Sequence, residues 1–271
     1  MAFGADPTPI ADSSIIQRLL GSRRLLRAFV VRRFRTRYRQ SMLDIAWSLL
    51  TPIVVMAIYG LILSSAFDVT GDGVPYITFA WTGVVIWTFF ASSLGEGVAS
   101  IVGSSDLISK IYFPRESLPL AAVGASCIDL AIGMVIAVVL AVVQGVRFHP
   151  TIVAVVVPLG LLVLWTAVLA VFSAVINVFV RDASHALSLI LRVGFFASPV
   201  MYPVSKLPHQ LRWTATVSPV AVSIEAVRDA LLRGRWPDWP VLAIHGVVAG
   251  GLFFAVIAYT RAIESRMVDV I

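Results

Sequence analysis

Two charged residues lie inside long apolar runs of the sequence, where charged side chains are rare and usually have a structural or functional role. Asp129 is in the middle of the run over 118–143, and Arg192 is in the run over 186–201. A lone charge at the centre of a bilayer costs roughly 2.5 to 3.5 kcal/mol on insertion scales, so a partner or a wet cavity is expected. We therefore expect Asp129 and Arg192 either to form a buried ion pair that clamps two helices or to line the path of a substrate.

A second charged group lies in the C-terminal third of the chain. Glu225 and Asp229 are four residues apart on a predicted short helix, with Arg228 and Arg233 close to them. Residues four apart in a helix are neighbours on its surface. This pattern fits either a solvated outer face or a gate that binds a charged headgroup.

Motifs for self-contained catalysis are missing from the sequence. It contains no G-x-x-x-x-G-K-[ST], H-E-x-x-H, C-x-x-C or G-x-S-x-G, which argues against a P-loop ATPase site and against the corresponding protease, redox and hydrolase sites. The four histidines are scattered, so we expect no metal site and no bound cofactor. Asp44, Asp106 and Asp182 are too dispersed for a membrane-embedded transferase, and the single cysteine, Cys127, excludes an internal disulfide.

The elements that carry these residues are predicted to be membrane helices. Of 271 residues, 59% are hydrophobic and only 13% are charged, against roughly 25% charged in soluble domains. A transmembrane helix needs about 20 apolar residues. The sequence predicts an all-α membrane protein whose six transmembrane helices occupy 41–271, at about 45–67, 75–94, 118–143, 152–178, 186–201 and 239–259.

Residues 208–234, between the fifth and sixth predicted spans, are too short and too interrupted by proline for another crossing. They offer two amphipathic pieces, and the second has Ser218 as its cap, Pro219 at its first position and Gly234 just past its end. We interpret them as a re-entrant helix pair on the outer side, which is tolerated at membrane depth when it is buried in protein or lines a cavity.

The N-terminal region is strongly basic. Residues 1–14 predict a disordered leader without the features of a signal peptide. Residues 15–40 predict an amphipathic helix in the membrane interface, with nine arginines between Arg18 and Arg39. Most of the 21 Lys and Arg residues fall in the predicted cytoplasmic segments, which places both termini in the cytoplasm. A solvated basic helix is the alternative, and a nucleic-acid arm is disfavoured because no recognisable nucleic-acid module accompanies it.

Two further stretches have a pattern that suggests contacts. Residues 98–113 combine apolar residues at near-helical spacing with mixed charge, which predicts a short cytoplasmic helix that docks onto a partner; an ordinary loop is the alternative. Phe195 and Phe196 lie inside the shortest predicted span, where they could line a channel, whereas an interfacial aromatic belt accounts for Tyr76 and Trp213.

Several of these segments together resemble one family. They are RFRTRYRQSMLDIAWSLLTP (33–52), DLISKIYFPRESLPL (106–120), NVFVRDASHAL (177–187), FFASPVMYP (195–203), SPVAVSIEAVRDALL (218–232) and the closing E-x-x-x-x-D-V-I. In this order they are similar to ABC-2 type permeases that export bacterial surface polysaccharides, such as O-antigen, teichoic acid and capsule.

The resemblance implies a homodimer of six-span subunits in the bacterial cytoplasmic membrane, with a channel between the two copies. A separate ABC ATPase would bind ATP and Mg²⁺ and drive export of a lipid-linked polysaccharide. Export of a small lipid or drug by the same scaffold is the nearer alternative, and a membrane-embedded glycosyl or lipid transferase is the farther one. The sequence does not name the sugar or its lipid carrier.

The resemblance also implies roles for individual residues. The ATPase would contact 15–39, 98–113 and Asn177–His185, and spans one and five would border the channel. The coupling residues would be Asp106, Lys110, Tyr112, Arg115, Arg181 and Asp182. The positive charge beside the first predicted span separately predicts headgroup contacts by Arg33, Arg35, Arg37 and Arg39. The channel or gate would use Tyr59, Phe195, Phe196, Tyr202, Glu225 and Asp229.

Overall fold

The structure, a computed structural model, describes residues 23–33, 35, 54, 73–110, 113–207, 210 and 213–270. These residues form helices and turns, and they contain no strand. We number the α-helices α1 (residues 23–33), α2 (Tyr76–Ala99), α3 (Ser105–Ile108), α4 (Ser117–Val143), α5 (Val156–Phe179), α6 (Ala183–Ala197), α7 (Thr214–Val217), α8 (Pro219–Arg228), α9 (Trp239–Ala262) and α10 (Glu264–Val270).

Four helical segments of the described residues are long and apolar enough to cross a membrane. They are α2, α4, Pro150–Phe179 and α9. In the third of these, a 3-10 turn over Pro150–Val155 continues directly into α5. The four predicted spans at 75–94, 118–143, 152–178 and 239–259 are therefore confirmed as helices of membrane-spanning length.

The predicted span over 186–201 is shorter than expected. The helix found there, α6, has 15 residues, which gives roughly 22 Å against a hydrocarbon core of about 30 Å. It ends at Ala197 because Pro199 follows, and a residue directly before a proline is disfavoured in the helical conformation. Apart from Val54, the predicted span at 45–67 lies outside the described residues, as does the leader over 1–14.

The first core is centred on α2, which packs against α4, α5, α6 and α8. The indole Nε1 of Trp81 donates a hydrogen bond of 2.9 Å to the backbone carbonyl of Gly133 on α4. A side chain at Gly133 would collide with Val85, so glycine allows α2 and α4 to approach closely here. This agrees with the use of small residues at helix contacts in membranes.

A second core lies at the far end of α2. It joins the turns after α2 to the start of α4, the end of α5 and helix α10, and its buried members are Ile101, Ile108, Phe113, Leu118, Ala174, Val175, Val178 and Met267. Leu25 and Phe29 of α1 pack against it, and the Phe29 and Phe113 rings are 5.5 Å apart in an edge-to-face arrangement. Part of the apolar face of α1, which we predicted to rest in lipid, is thus used for contacts within the protein.

The connection between α2 and α4 contains less helix than predicted. A 3-10 turn over Val102–Ser104 is followed by the single turn of α3 and then by non-helical residues. Residues 213–234 begin with one turn of helix, α7, and continue with α8, whose predicted cap and proline are both found. A π-helical turn over Asp229–Arg233 then ends at Gly234, which has a φ of 65°.

Candidate functional site

Arg228 is the centre of the most elaborate polar arrangement in the described residues, and α8 places it there. The Ser218 hydroxyl caps α8 by accepting a hydrogen bond from the backbone N–H of Ala221. Arg228 then follows Ile224 by one helical turn and precedes Leu231 by nearly one, so it lies on the buried apolar face. Its side chain is 0% exposed.

The guanidinium of Arg228 fastens three parts of the chain to one another. Its Nη2 donates to the carbonyl of Phe79 at 3.0 Å, and its Nη1 donates to the carbonyl of Pro199 at 2.7 Å. Nη2 also donates to the carbonyl of Val200, and Nη1 donates to Oε1 of Glu225 at 2.8 Å. The planar fork of an arginine presents five N–H donors, which suits such a set of acceptors. We call this arrangement the arginine clamp.

Two residues of α2 complete the arginine clamp. The Phe79 ring lies against the guanidinium, with 3.5 Å between its centroid and Cζ of Arg228, in a cation–π contact. One turn later on α2 comes Gly83. A Cβ atom at Gly83 would collide with the carbonyl oxygen of Val200 and with Nη2 of Arg228. Glycine at this position is what lets the backbone after α6 reach α2.

Both predicted gate carboxylates belong to the network around the clamp. Arg233 donates from Nη1 to Oε2 of Glu225 and to Oδ1 of Asp229, each at 2.9 Å. The Glu225 and Asp229 side chains are 20% and 28% exposed. Two arginines therefore balance two carboxylates in a partly buried cluster, which differs from the freely solvated face that was one of our two interpretations.

Burial and the neighbouring charges shift the pKa values of the two arginines in this cluster. Burial lowers the pKa of Arg228 to about 10, against an opposing effect of the Glu225 carboxylate. The group still carries its proton at neutral pH. Burial also acts to lower the pKa of Arg233, but the carboxylates of Glu225 and Asp229 outweigh it and raise that pKa. Both arginines are therefore positively charged at physiological pH.

Two tyrosines hold the turn after α6 in place. Tyr76 donates from its hydroxyl to the carbonyl of Met201 at 3.1 Å, and Tyr202 donates to the carbonyl of Phe196 at 2.7 Å. Burial raises the pKa of the Tyr202 hydroxyl, so it donates at neutral pH. The predicted channel residue Tyr202 therefore also holds the backbone at Phe196 in place.

The two predicted channel phenylalanines of α6 differ in exposure. Phe195 packs edge-to-face against Trp87 of α2, with 6.0 Å between the ring centroids. Its ring is also 5.4 Å from that of Phe196, which is 58% exposed. Phe196 therefore faces outward from the described part of the chain. The predicted channel residue Tyr59 lies outside the described residues.

The other predicted site lies at the second core, at the opposite end of α2 from the arginine clamp. A cleft of about 570 Å³ opens there, and its lining includes Arg32 and Arg33 of α1, Glu96 of α2, and Asp106. Arg33 forms an ion pair of 3.6 Å with Glu96. Two segments that we predicted separately to contact a partner are thus neighbours in space.

The predicted coupling residues divide into exposed and buried groups. Asp106, Lys110, Arg181 and Asp182 are exposed. Arg115 is instead buried at 5% exposure and donates from Nη1 to the backbone carbonyl of Glu264 at 3.0 Å. It supports the surface from within and does not face a partner directly. Tyr112 lies outside the described residues.

Comparison with known proteins identifies the family of the chain. Residues 24–232, which include more than half of the chain, match the ABC-2 type transporter family. The chain belongs to the ABC-2 type transporter family. The matched range begins in α1 and ends at Leu232 in the π-helical turn, so it includes the arginine clamp and Arg115. A member of this family is a multi-pass membrane transport subunit without an ATPase site of its own.

Three similar proteins are known as O-antigen export system permease protein RfbA. The one from Myxococcus xanthus is 29% identical over 238 residues, which cover 86% of this chain and 90% of that protein. Two from Klebsiella pneumoniae are 29% and 26% identical over 205 residues, covering 74% of this chain and 77% of each protein.

The remaining predicted residues of this ABC-2 transporter chain are placed as follows. Asp129 is half-buried on α4, and Arg192 is exposed on α6. Both helices pack against α2. Arg35 is exposed. Arg37 and Arg39 lie outside the described residues.

The sequence did not predict that Arg228 is the centre of the arginine clamp, or that position 83 requires glycine. One signal was present for Arg228: its helical register places it among Ile224, Val227 and Leu231. Its main-chain acceptors gave no signal, since every residue has a carbonyl. Among the described residues, no three His, Cys, Asp or Glu side chains come together in a way that could hold a metal ion.

Proposed function

We propose that this chain is the permease subunit of an ATP-driven exporter that moves a lipid-linked polysaccharide across the bacterial cytoplasmic membrane. The observation that carries the proposal is the similarity to O-antigen export permeases over most of the chain. ATP and Mg²⁺ are bound by a separate ABC ATPase subunit. Two copies of the chain form a homodimer, and the polysaccharide passes between them.

Six spans per chain complete this proposal. Four spans are the helices of membrane-spanning length. The other two spans of the proposal are residues 45–67 and α6 together with the turn that follows it. The exposed arginines of α1 favour a cytoplasmic position for the second core, because cytoplasmic flanks are rich in Lys and Arg. The arginine clamp is then on the outer side, and α7 with α8 forms the re-entrant pair.

The cleft at the second core and the arginine clamp have different roles in transport. The partner ATPase docks on the exposed charges beside the cleft, and its ATP-driven closure moves the second core. The arginine clamp keeps α2, α8 and the turn after α6 together, so that Phe195 and Phe196 hold a fixed place along the channel. Exposed arginines such as Arg35 contact anionic headgroups of the membrane or of the cargo.

Deleting the gene in its own bacterium is expected to remove the polysaccharide from the cell surface while lipid-linked polymer accumulates inside. Immunoblots of intact and lysed cells measure both pools, and the wild-type gene is expected to restore the surface pool. An exporter of small lipids or drugs would instead leave both pools unchanged and raise drug sensitivity. A transferase would lower both pools together, so either of these results contradicts the proposal.

Charge reversal of Asp106 and Lys110 together is expected to weaken binding of the ATPase. Both side chains are exposed, and neither belongs to the second core, so the change does not disturb that core. We expect the amount of ATPase that co-purifies with the chain to fall at least about fivefold, a typical size for a coupling between sites.

Reversal of Arg147 is the control for this experiment, because Arg147 is exposed in the turn after α4, at the other end of that helix from Asp106 and Lys110. We expect it to leave the co-purified ATPase unchanged. Undiminished binding and export in the Asp106 and Lys110 variant would show that the coupling surface lies elsewhere.

A further inference from the structure

Helix α10 is attached to the second core by both an apolar and a polar contact. Met267 is 0% exposed and belongs to the second core together with Ile101 and Phe113. Glu264, the first residue of α10, accepts the hydrogen bond from Arg115 at its backbone carbonyl. Its carboxylate is also 3.8 Å from Nε of Arg115. We call Arg115, Glu264 and Met267 the tail latch.

The position of Arg115 decides which parts of the chain the tail latch connects. Arg115 lies two residues before the start of α4 and shortly after the exposed charges of Asp106 and Lys110. Glu264 follows the end of α9 by two residues, and the backbone N–H of Met267 donates to the carbonyl of Ile263 at 3.1 Å. The latch therefore ties the end of α9 to the segment that leads into α4.

Apart from α5, helix α9 has few contacts with the described residues. It is the least buried of the four described helices of membrane-spanning length. It packs on α5, and it contacts α8 in a small apolar cluster that contains Leu161, Val222, Ala226, Leu242 and Ala249. His245 of α9 also contacts the carbonyl of Thr216 through Nε2 at 2.9 Å. One end of α9 thus touches the helix of the arginine clamp, and the other end is held by the tail latch.

We infer that α9 and α10 form a strut that transmits movement of the second core to α8 at the arginine clamp, with Arg115 as the positioning residue that engages it. This rests on the proposed function, since the movement comes from the partner ATPase. The buried polar contact suits the task because a bond at 5% exposure is little weakened by solvent. Arg115 acts through Glu264 and touches no substrate.

Arg115→Met is the variant that tests the strut. In the permease–ATPase complex we expect ATP hydrolysis to be retained while polysaccharide exported per ATP falls at least about fivefold. A purely structural role would lower the amount of complex and leave this ratio unchanged, which would overturn the inference. Arg266→Met is the matched control, because Arg266 lies on the same helix α10 but is exposed; it is expected to change neither quantity.

Two conservative variants separate the contacts of the latch. Glu264→Gln keeps the backbone carbonyl that makes the shorter contact, so it is expected to retain most of the coupling. Arg115→Lys keeps one charged donor and is expected to retain more export per ATP than Arg115→Met. Equal loss in Arg115→Lys, Arg115→Met and Arg266→Met would contradict the assignment of Arg115.

Hydrogen exchange in the wild-type complex tests the strut without any variant that could misfold, and without polysaccharide. Residues 101–108, 264–270 and 220–228 are expected to change their amide protection together when a non-hydrolysable ATP analogue is added, because the strut links the second core to α8. A change confined to 101–108 would overturn the strut. Since this measurement does not use polysaccharide, it still decides the matter if the deletion experiment shows that the exported substrate is a different one.

Discussion

Arg228→Met is expected to cause the largest loss of stability and of export among the substitutions considered. Methionine fills a similar space but donates no hydrogen bond, so the carbonyls of Phe79, Pro199 and Val200 lose their shared donor. Glu225 also loses a partner at 2.8 Å. Removing one member of a buried charged pair typically costs about 3 to 5 kcal/mol, which is a large part of the net stability of about 5 to 15 kcal/mol of a typical protein.

The measurement is thermal unfolding of the detergent-solubilised chain, together with the surface polysaccharide of cells that carry the variant. Arg235→Met is the matched control, because Arg235 lies two residues after Arg233 but is exposed. It is expected to unfold like the wild type. Arg228→Lys is expected to fall between the two, since an ammonium keeps the charge but cannot reach all the acceptors. If Arg228→Met unfolded at the same temperature as the wild type, the arginine clamp would not contribute to stability.

Much of the fold could be predicted because its signals are local. Apolar runs of sufficient length gave α2, α4, α5 and α9 to within a few residues at most ends. The cap at Ser218 and the left-handed residue Gly234 were likewise predicted from residue types that suit those positions. Such features depend on neighbours within one or two helical turns.

Helix α6 and the connection after α2 could be predicted less well, for local reasons that compete with composition. The apolar run continues past Ala197 to Met201, but Pro199 prevents the helix from following it. After α2 the apolar spacing over 98–113 predicted one short cytoplasmic helix. The chain instead uses two single turns there, which place Ile101 and Ile108 in the second core.

The clamp could not be predicted because its contacts join distant parts of the chain through the backbone. Arg228 is separated by 149 residues from Phe79 and by 29 from Pro199. A carbonyl acceptor leaves no mark in the sequence, whereas the carboxylates of Glu225 and Asp229 could be recognised as neighbours of an arginine. Arg115 shows the same limit: its exposed neighbours suggested a surface residue, but its acceptor, the carbonyl of Glu264, lies 149 residues away.

Gly83→Ala is the second substitution with a large expected effect, and it tests the clamp from the side of α2. The added Cβ would meet the carbonyl oxygen of Val200, which is backbone, and Nη2 of Arg228, which is fixed by its hydrogen bonds. Neither can withdraw without breaking the clamp. Overpacking of this kind typically costs about 1 to 3 kcal/mol and occasionally more, so we expect a lower unfolding temperature and reduced export.

Gly95→Ala is a control on the same helix with the opposite expected sign. Gly95 is exposed, and a Cβ there would meet nothing within 4 Å. Alanine favours a helix over glycine by roughly 1 kcal/mol, so this variant is expected to match or exceed the wild type in thermal unfolding. Equal effects of the two substitutions would mean that α2 responds to helix propensity alone. A loss confined to Gly83→Ala would instead require close contact of the turn after α6 with α2, which is the contact that Arg228 secures.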